Sequence, residues 1–218
     1  MAISLKKGQK VNLKKEDGNK LENFYVGANW GMITEIKEPG FLGKLFGAEP
    51  RKVKYSVDLD LAAILYDKDK KLYNVIFFNN LKGKGIQHSG DDLTGDEEKD
   101  EEDNEVIEVK LNEVPEEVNY IIFTLNSYNG VEFDKIPYAN IRLYEGEKPG
   151  KPKEVFVTYK VDSVPEFKGK LSLILGALIR KENGEWDFKA IGKPTEDKRL
   201  NNIVNTINTK FDELILSD

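Results

Sequence analysis

The chain has 218 residues, 39% of them hydrophobic and 33% charged, the composition of a soluble globular protein of one large or two small domains. A formal charge of −6 and a pI near 5.2 argue against nucleic acid as a main partner, because binding phosphates needs a basic face. Cysteine is absent, which removes disulfides, thiolate metal sites and cysteine nucleophiles together and makes a cytoplasmic location the simplest expectation. No apolar run reaches signal-peptide length or the roughly 18 residues of a membrane span, so neither secretion by such a signal nor membrane crossing is expected.

In chain order, the first distinctive segment is Glu38 to Pro50, where Pro39, Gly40, Gly43 and Gly47 surround Phe41, Leu42, Leu45 and Phe46. It reads as an inserted loop with an apolar tip. Contiguous exposed apolar patches are uncommon on monomers, so residues 41–46 are expected to fold back onto the body. The alternative is a peripheral membrane or protein contact. Tyr55 to Tyr66 alternates as a strand, with Val57, Leu59, Leu61, Ala63 and Leu65 on one face and Ser56, Asp58 and Asp60 on the other. Leu72 to Phe78, Asn119 to Leu125, Ala139 to Tyr144, Glu154 to Val161, Leu171 to Arg180 and Trp186 to Ile191 are further strands, rich in β-branched and aromatic residues. The last two flank Glu182-Asn183-Gly184-Glu185, which predicts a hairpin with a type I′ turn.

Many short strands with turn signals between them predict an all-β fold, a β-sandwich of two mainly antiparallel sheets. One segment departs from this pattern. From Asp197 onward, Leu200, Ile203, Val204, Ile207, Phe211, Leu214 and Ile215 recur at helical spacing, with Thr195 as N-cap and Glu196 and Asp197 favourable to the helix dipole. A C-terminal amphipathic helix over 195–218, packed on a 1–194 sandwich, accounts for that stripe. A partner-binding helix is the other reading.

The chemistry concentrates in residues 88–105. Between Asp91 and Glu105 there are ten carboxylates and one lysine. Such density repels itself unless it stays solvated or gathers a hard cation, and calcium takes about six to eight oxygens from carboxylates, amides, carbonyls and water. Gly90 and Gly95 allow tight turns around Asp91, Asp92 and Thr94, which a merely solvated run does not need. Asp58 and Asp60 share a strand face, and Asn79 and Asn80 end the apolar run Val75 to Phe78; strand ends abutting the loop would complete an oxygen cage. The spacing is not that of an EF-hand. With no cysteine and His88 as the single histidine, zinc is disfavoured, and His88 reads as a structural hydrogen-bonding residue.

No enzyme is indicated. There is no Gly-x-Ser-x-Gly elbow and no second histidine, and Lys82-Gly83-Lys84-Gly85 lacks the ending of a phosphate loop. Val57-Asp58-Leu59-Asp60-Leu61 superficially matches the nucleophile motif of haloacid-dehalogenase-type phosphatases. That family expects a Thr or Val soon after the second Asp and alternating α/β elements, whereas Leu61-Ala62 and strands follow here.

Several stretches in order resemble the TerD-type tellurium-resistance and stress-protein family. They are Ile3-Ser4-Leu5-Lys6-Lys7-Gly8, Val26-Gly27-Ala28-Asn29-Trp30, Asp58-Leu59-Asp60-Leu61-Ala62 and Val75-Ile76-Phe77-Phe78-Asn79-Asn80-Leu81, then His88-Ser89-Gly90-Asp91-Asp92-Leu93-Thr94-Gly95. Val114-Pro115, Ile141-Arg142-Leu143 and Trp186-Asp187-Phe188-Lys189-Ala190-Ile191-Gly192 complete them. The resemblance implies a non-enzymatic, calcium-binding β-sandwich with roles in tolerance of tellurite and other stresses, acting with protein partners. Carried over by position, it implies as ligands Asp58, Asp60, Asn79, Asn80, Asp91, Asp92 and Thr94, with Asp103 and Glu105 closing the site and Leu93 offering only its carbonyl. This chain departs from the family pattern in a longer, glycine-free loop before Asp103-Asn104-Glu105, in the 38–50 insert and in the long C-terminal helix. Two functions are therefore carried forward: calcium ordering the loops for stability or partner binding, and a metal-independent scaffold whose acidic loop docks a basic partner.

Overall fold

The computed structural model describes residues 10–12, 21–161 and 165–217; the Ile3 to Gly8 motif lies outside them. Two six-stranded antiparallel sheets stack face to face. The first has the order β1 (Lys10–Asn12), β14 (Trp186–Thr195), β13 (Ser172–Arg180), β10 (Val118–Ser127), β5 (Leu59–Asp67) and β6 (Leu72–Ile76). The second runs β12 (Lys151–Val161), β11 (Ala139–Lys148), β2 (Asn23–Trp30), β9 (Glu105–Lys110), β8 (Ile86–His88) and β7 (Lys82–Gly83). The predicted sandwich is the fold.

Strand periodicity explains the layering. In β5, Leu59, Leu61, Ala63 and Leu65 face the second sheet, meeting Phe24, Val26, Ala28, Ile107 and Val109 in one core. The alternate residues Ile64 and Tyr66 are buried as well, because the C-terminal segment covers the outer face of the first sheet. There α2 (Leu200–Thr209) and the wider turn Asp212–Leu216 lay Ile203, Ile207, Phe211, Leu214 and Ile215 on Ile64, Tyr66, Ile122 and Ile174. Burying each such side chain stabilises the fold by about 1.5–3 kcal/mol. The helical stripe is thus a packing stripe.

Three local expectations are corrected. Thr195 is not the helix N-cap: it is the last residue of β14, paired with Ser172, and Arg199 takes the cap position. The hairpin forms, but its turn is not type I′. Only Gly184 has positive φ, at 78°, and its N–H bonds to Lys181 O at 2.9 Å, so a turn over 181–184 is followed by one left-handed residue. The strand foreseen over Tyr55 to Tyr66 is broken at residues 56–58, because Val57 gives its N–H to Thr94 O (2.9 Å) and its carbonyl to Trp30 Nε1 (2.7 Å) instead of to a ladder.

The segment before that break forms a separate ribbon, β3 (Ile33–Lys37) and β4 (Arg51–Tyr55), capped by the five-residue α1 (Phe41–Leu45). Its apolar tip does not fold back. Phe41 and Phe46 are each 83% exposed, Leu42 and Leu45 67% and 69%, and α1 buries none of its residues.

Candidate metal centre

Asp60 comes from the start of β5, Asp58 from the chain just before it, and Asp91 from the loop that leaves β8. The three place carboxylate oxygens within 4.8 Å of one another. Asp58 and Asp60 are buried, while Asp91 is exposed. Asp58 Oδ1 is buried without a hydrogen-bond partner, a costly state for a carboxylate oxygen unless something positive meets it.

The electrostatics point the same way. Burial, then the charges of Glu105, Asp58 and Asp91, push the Asp60 carboxyl up to about 8. Burial and then Asp91 and Asp92 also raise Asp58, and burial raises Glu105. These acids resist ionising together. Asn126, which bonds Ser172 Oγ at 2.8 Å, donates to Asp60 and offsets part of this. The donor set is all oxygen, partly buried and anionic, which fits a hard divalent cation such as calcium rather than zinc.

Around the three aspartates lies a brace. Asp92 accepts from Thr94 N and Gly95 N, both at 2.9 Å, from Thr94 Oγ1 at 3.1 Å and from Asn104 Nδ2 at 3.1 Å. Burial alone would raise Asp92, but these bonds hold it below the usual carboxylate range. Glu105, fully buried on β9, accepts from Leu61 N at 2.7 Å and from Asp92 N at 3.3 Å, locking the loop to β5. His88 bonds Leu61 O through Nε2 (3.0 Å) and accepts from Gly90 N through Nδ1 (3.0 Å), which fixes its tautomer and occupies both nitrogens. The structural role foreseen for it is the one it has.

The remaining sequence-derived ligands fall elsewhere. Asp103 is tied to Arg142 Nε at 2.8 Å and lies against β2, where a Cβ on Gly27 would sit 2.0 Å from its Oδ2. Asn80 turns its amide onto Val75 O (2.7 Å) and Asn74 Oδ1 (3.2 Å), within its own turn, and Asn79 is exposed beside it. Thr94 is exposed, and Leu93 has a 60% exposed side chain.

Sequence reasoning missed the braces. Asn104 Nδ2 also donates to Asp96 Oδ1 (2.8 Å), and Asp96 Oδ2 accepts from Asn29 Nδ2 (2.8 Å) and Tyr138 Oη (2.9 Å). Gly95 has φ of 76° and packs so tightly on Trp30 that a Cβ would come 2.6 Å from its ring. The family motif Val26 to Trp30 carried that signal: Gly27 makes room for Asp103, Asn29 holds Asp96, and Trp30 backs Gly95. A cleft of about 410 Å³ adjoins the centre, with Asp60 and Asn126 at one side and Val75, Phe77, Phe78 and Val204 among its apolar walls.

Comparison with known proteins shows the family. Residues 1–206 match the sequence model of the TerD domain. Tellurium resistance protein TerZ of Serratia marcescens is 32% identical over 94% of this chain and 96% of its own length. Stress response protein SCP2 of Bacillus subtilis (strain 168) is 33% identical over 94% of this chain and 98% of its own. A solved homologue of telluride resistance protein (TerD) from Streptomyces coelicolor A3(2) shares the fold, with a TM-score of 0.60 at 16% identity over 83% of this chain and 94% of that one. The chain belongs to the TerD domain family, alongside proteins named for tellurium resistance and for stress response.

Proposed function

We propose that this chain is a non-enzymatic, calcium-binding stress-response protein in which the cation joins the acidic loop to the start of β5. The observation that carries the reading is the cluster of Asp58, Asp60 and Asp91, with the buried, unpartnered Asp58 Oδ1 among their oxygens. Calcium would supply the positive charge that lets the buried Asp58 and Asp60 carboxyls ionise beside Asp91. Asp60 is held by the buried strand β5, Asp58 by the buried chain just before it and Asp91 by an exposed loop, so joining them fixes the loop on the sandwich. Asp92, Asn104 and Glu105 keep the loop near that position and lower the ordering cost of binding.

The exposed acidic stretch 97–102 then serves as a surface for protein partners of the stress response, whose presentation depends on the ordered loop. Among the described residues no helix is long and apolar enough to cross a membrane, and the absence of cysteine fits the cytoplasm proposed here.

A thermal melt tests the reading. At calcium a hundred times the dissociation constant, binding adds about 2.7 kcal/mol, or roughly 5 to 11 °C for a chain of this size. Magnesium should give much less, and Asp91→Ala should remove the calcium shift. Equal melting in calcium and chelator refutes the proposal and leaves the metal-independent scaffold.

A further inference from the structure

We propose that the tip of the β3–β4 ribbon inserts into anionic lipid bilayers. Phe41, Leu42, Leu45 and Phe46 are between 67% and 83% exposed, and Ile36 below them is 68% exposed. Four large apolar side chains on one short projection cover nothing in the fold, and so much contiguous apolar surface marks a contact with something outside it.

The tip's backbone is already suited to an apolar phase. Lys44 N bonds Gly40 O (2.9 Å), Phe46 N bonds Leu42 O (3.1 Å), Gly47 N bonds Lys44 O (3.1 Å) and Ala48 N bonds Gly43 O (2.9 Å). These bonds pair the amides of residues 44 and 46–48, which lowers the cost of bringing that part of the backbone into the acyl boundary. Side chains of this size reach roughly 5–10 Å into that boundary.

Charge selects the surface. Leaving aside Lys54, which pairs with Glu97 of the acidic loop, residues 33–53 carry four basic groups against three acidic ones, a net +1 in a chain whose net charge is −6. Arg51 and Lys52 are exposed on β4 and carry the positive charge, while Lys44 within the tip pairs with Glu38 at 3.2 Å. The acidic loop sits at the other end of the ribbon, where Met32 N bonds Asp96 O (2.9 Å) and Lys54 pairs with Glu97 (2.8 Å). Five strand residues at about 3.3 Å each separate tip from loop by roughly 17 Å, beyond the Debye length of about 8 Å at physiological salt. The tip therefore meets anionic headgroups as a locally basic, apolar wedge. A protein partner would need a pocket shaped to this convex tip; a bilayer does not.

The test is liposome flotation with phosphatidylcholine vesicles, with and without phosphatidylglycerol. Three proteins are compared: wild type, the tip variant Phe41→Ser/Leu42→Ser/Leu45→Ser/Phe46→Ser, and the ribbon variant Arg51→Glu/Lys52→Glu. The assay is run in chelator and in calcium, because the tip is proposed to act whether or not the metal reading holds. Flotation in either buffer supports the proposal when it needs phosphatidylglycerol and falls at least about tenfold in both variants. The substituted side chains pack on nothing, so the variants should melt with wild type. Equal flotation of wild type and the tip variant, flotation indifferent to phosphatidylglycerol, or no flotation of wild type in either buffer overturns it. Tip-dependent capture of a soluble protein without flotation also overturns it, in favour of a protein partner.

Discussion

Asp60→Asn should stabilise the metal-free protein while abolishing its response to calcium. The Asp60 carboxyl, raised first by burial and then by Glu105, Asp58 and Asp91, titrates at about 8 in the folded chain against 3.8 ordinarily. The folded chain therefore holds more protons than the unfolded one between these values. Metal-free stability is fully present below about pH 4 and falls as pH rises toward about 8. At pH 7 the difference has a ceiling of about 4 kcal/mol, from 1.36 kcal/mol per pH unit. The asparagine still buries a polar amide, so a gain of about 2 kcal/mol, or roughly 4 to 8 °C, is the working value. Melts in chelator from pH 5 to pH 8 should show Asp60→Asn above wild type, with the gap widening as pH rises. Millimolar calcium should reverse the order at pH 7.5. If the variant melts below wild type in chelator and keeps a calcium shift, the reasoning about repelling carboxylates is wrong.

Other substitutions separate the braces from the ligands. Asp92→Ala removes four hydrogen bonds that shape the loop and should cost about 1–3 kcal/mol in urea unfolding, even in chelator. Asp91→Ala, on an exposed side chain, should leave chelator stability nearly unchanged. Gly27→Ala forces a Cβ to within 2.0 Å of Asp103 Oδ2 and should cost about 1–3 kcal/mol, visible as a lower denaturation midpoint. Ile207→Ala opens a cavity between α2 and the first sheet and should cost about 2–5 kcal/mol with the calcium shift retained.

The outer design of the fold was legible because it rests on periodicity. Alternation from Val57 to Leu61, the continuous apolar run on to Tyr66 and the 3.6-residue stripe from Leu200 to Ile215 announce the strand and the helix that cover each other. The ribbon was not foreseen because, beyond Ile33 at its base, β3 and β4 pack on no layer, so no face of theirs needs an apolar pattern. The strand β9 was hidden at its start, where Glu105 ends an acidic run yet is fully buried by bonds to Leu61 and Asp92. In the candidate centre, Asp58 and Asp60 were readable from the period of two. The separation of Asp103 from them was not, since it depends on Arg142, which lies 39 residues away. Asn29, Asn104 and Tyr138 escaped notice for the same reason: an amide or phenol declares its role only when the fold brings it to Asp96.

Titration calorimetry of calcium into the chelator-stripped protein, alongside Asp58→Ala and Asp91→Ala, tests the central claim most directly. Saturable calcium heat in wild type, lost in both variants and weak with magnesium, is the predicted result. No calcium heat in a folded wild type, or full binding in both variants, would contradict it.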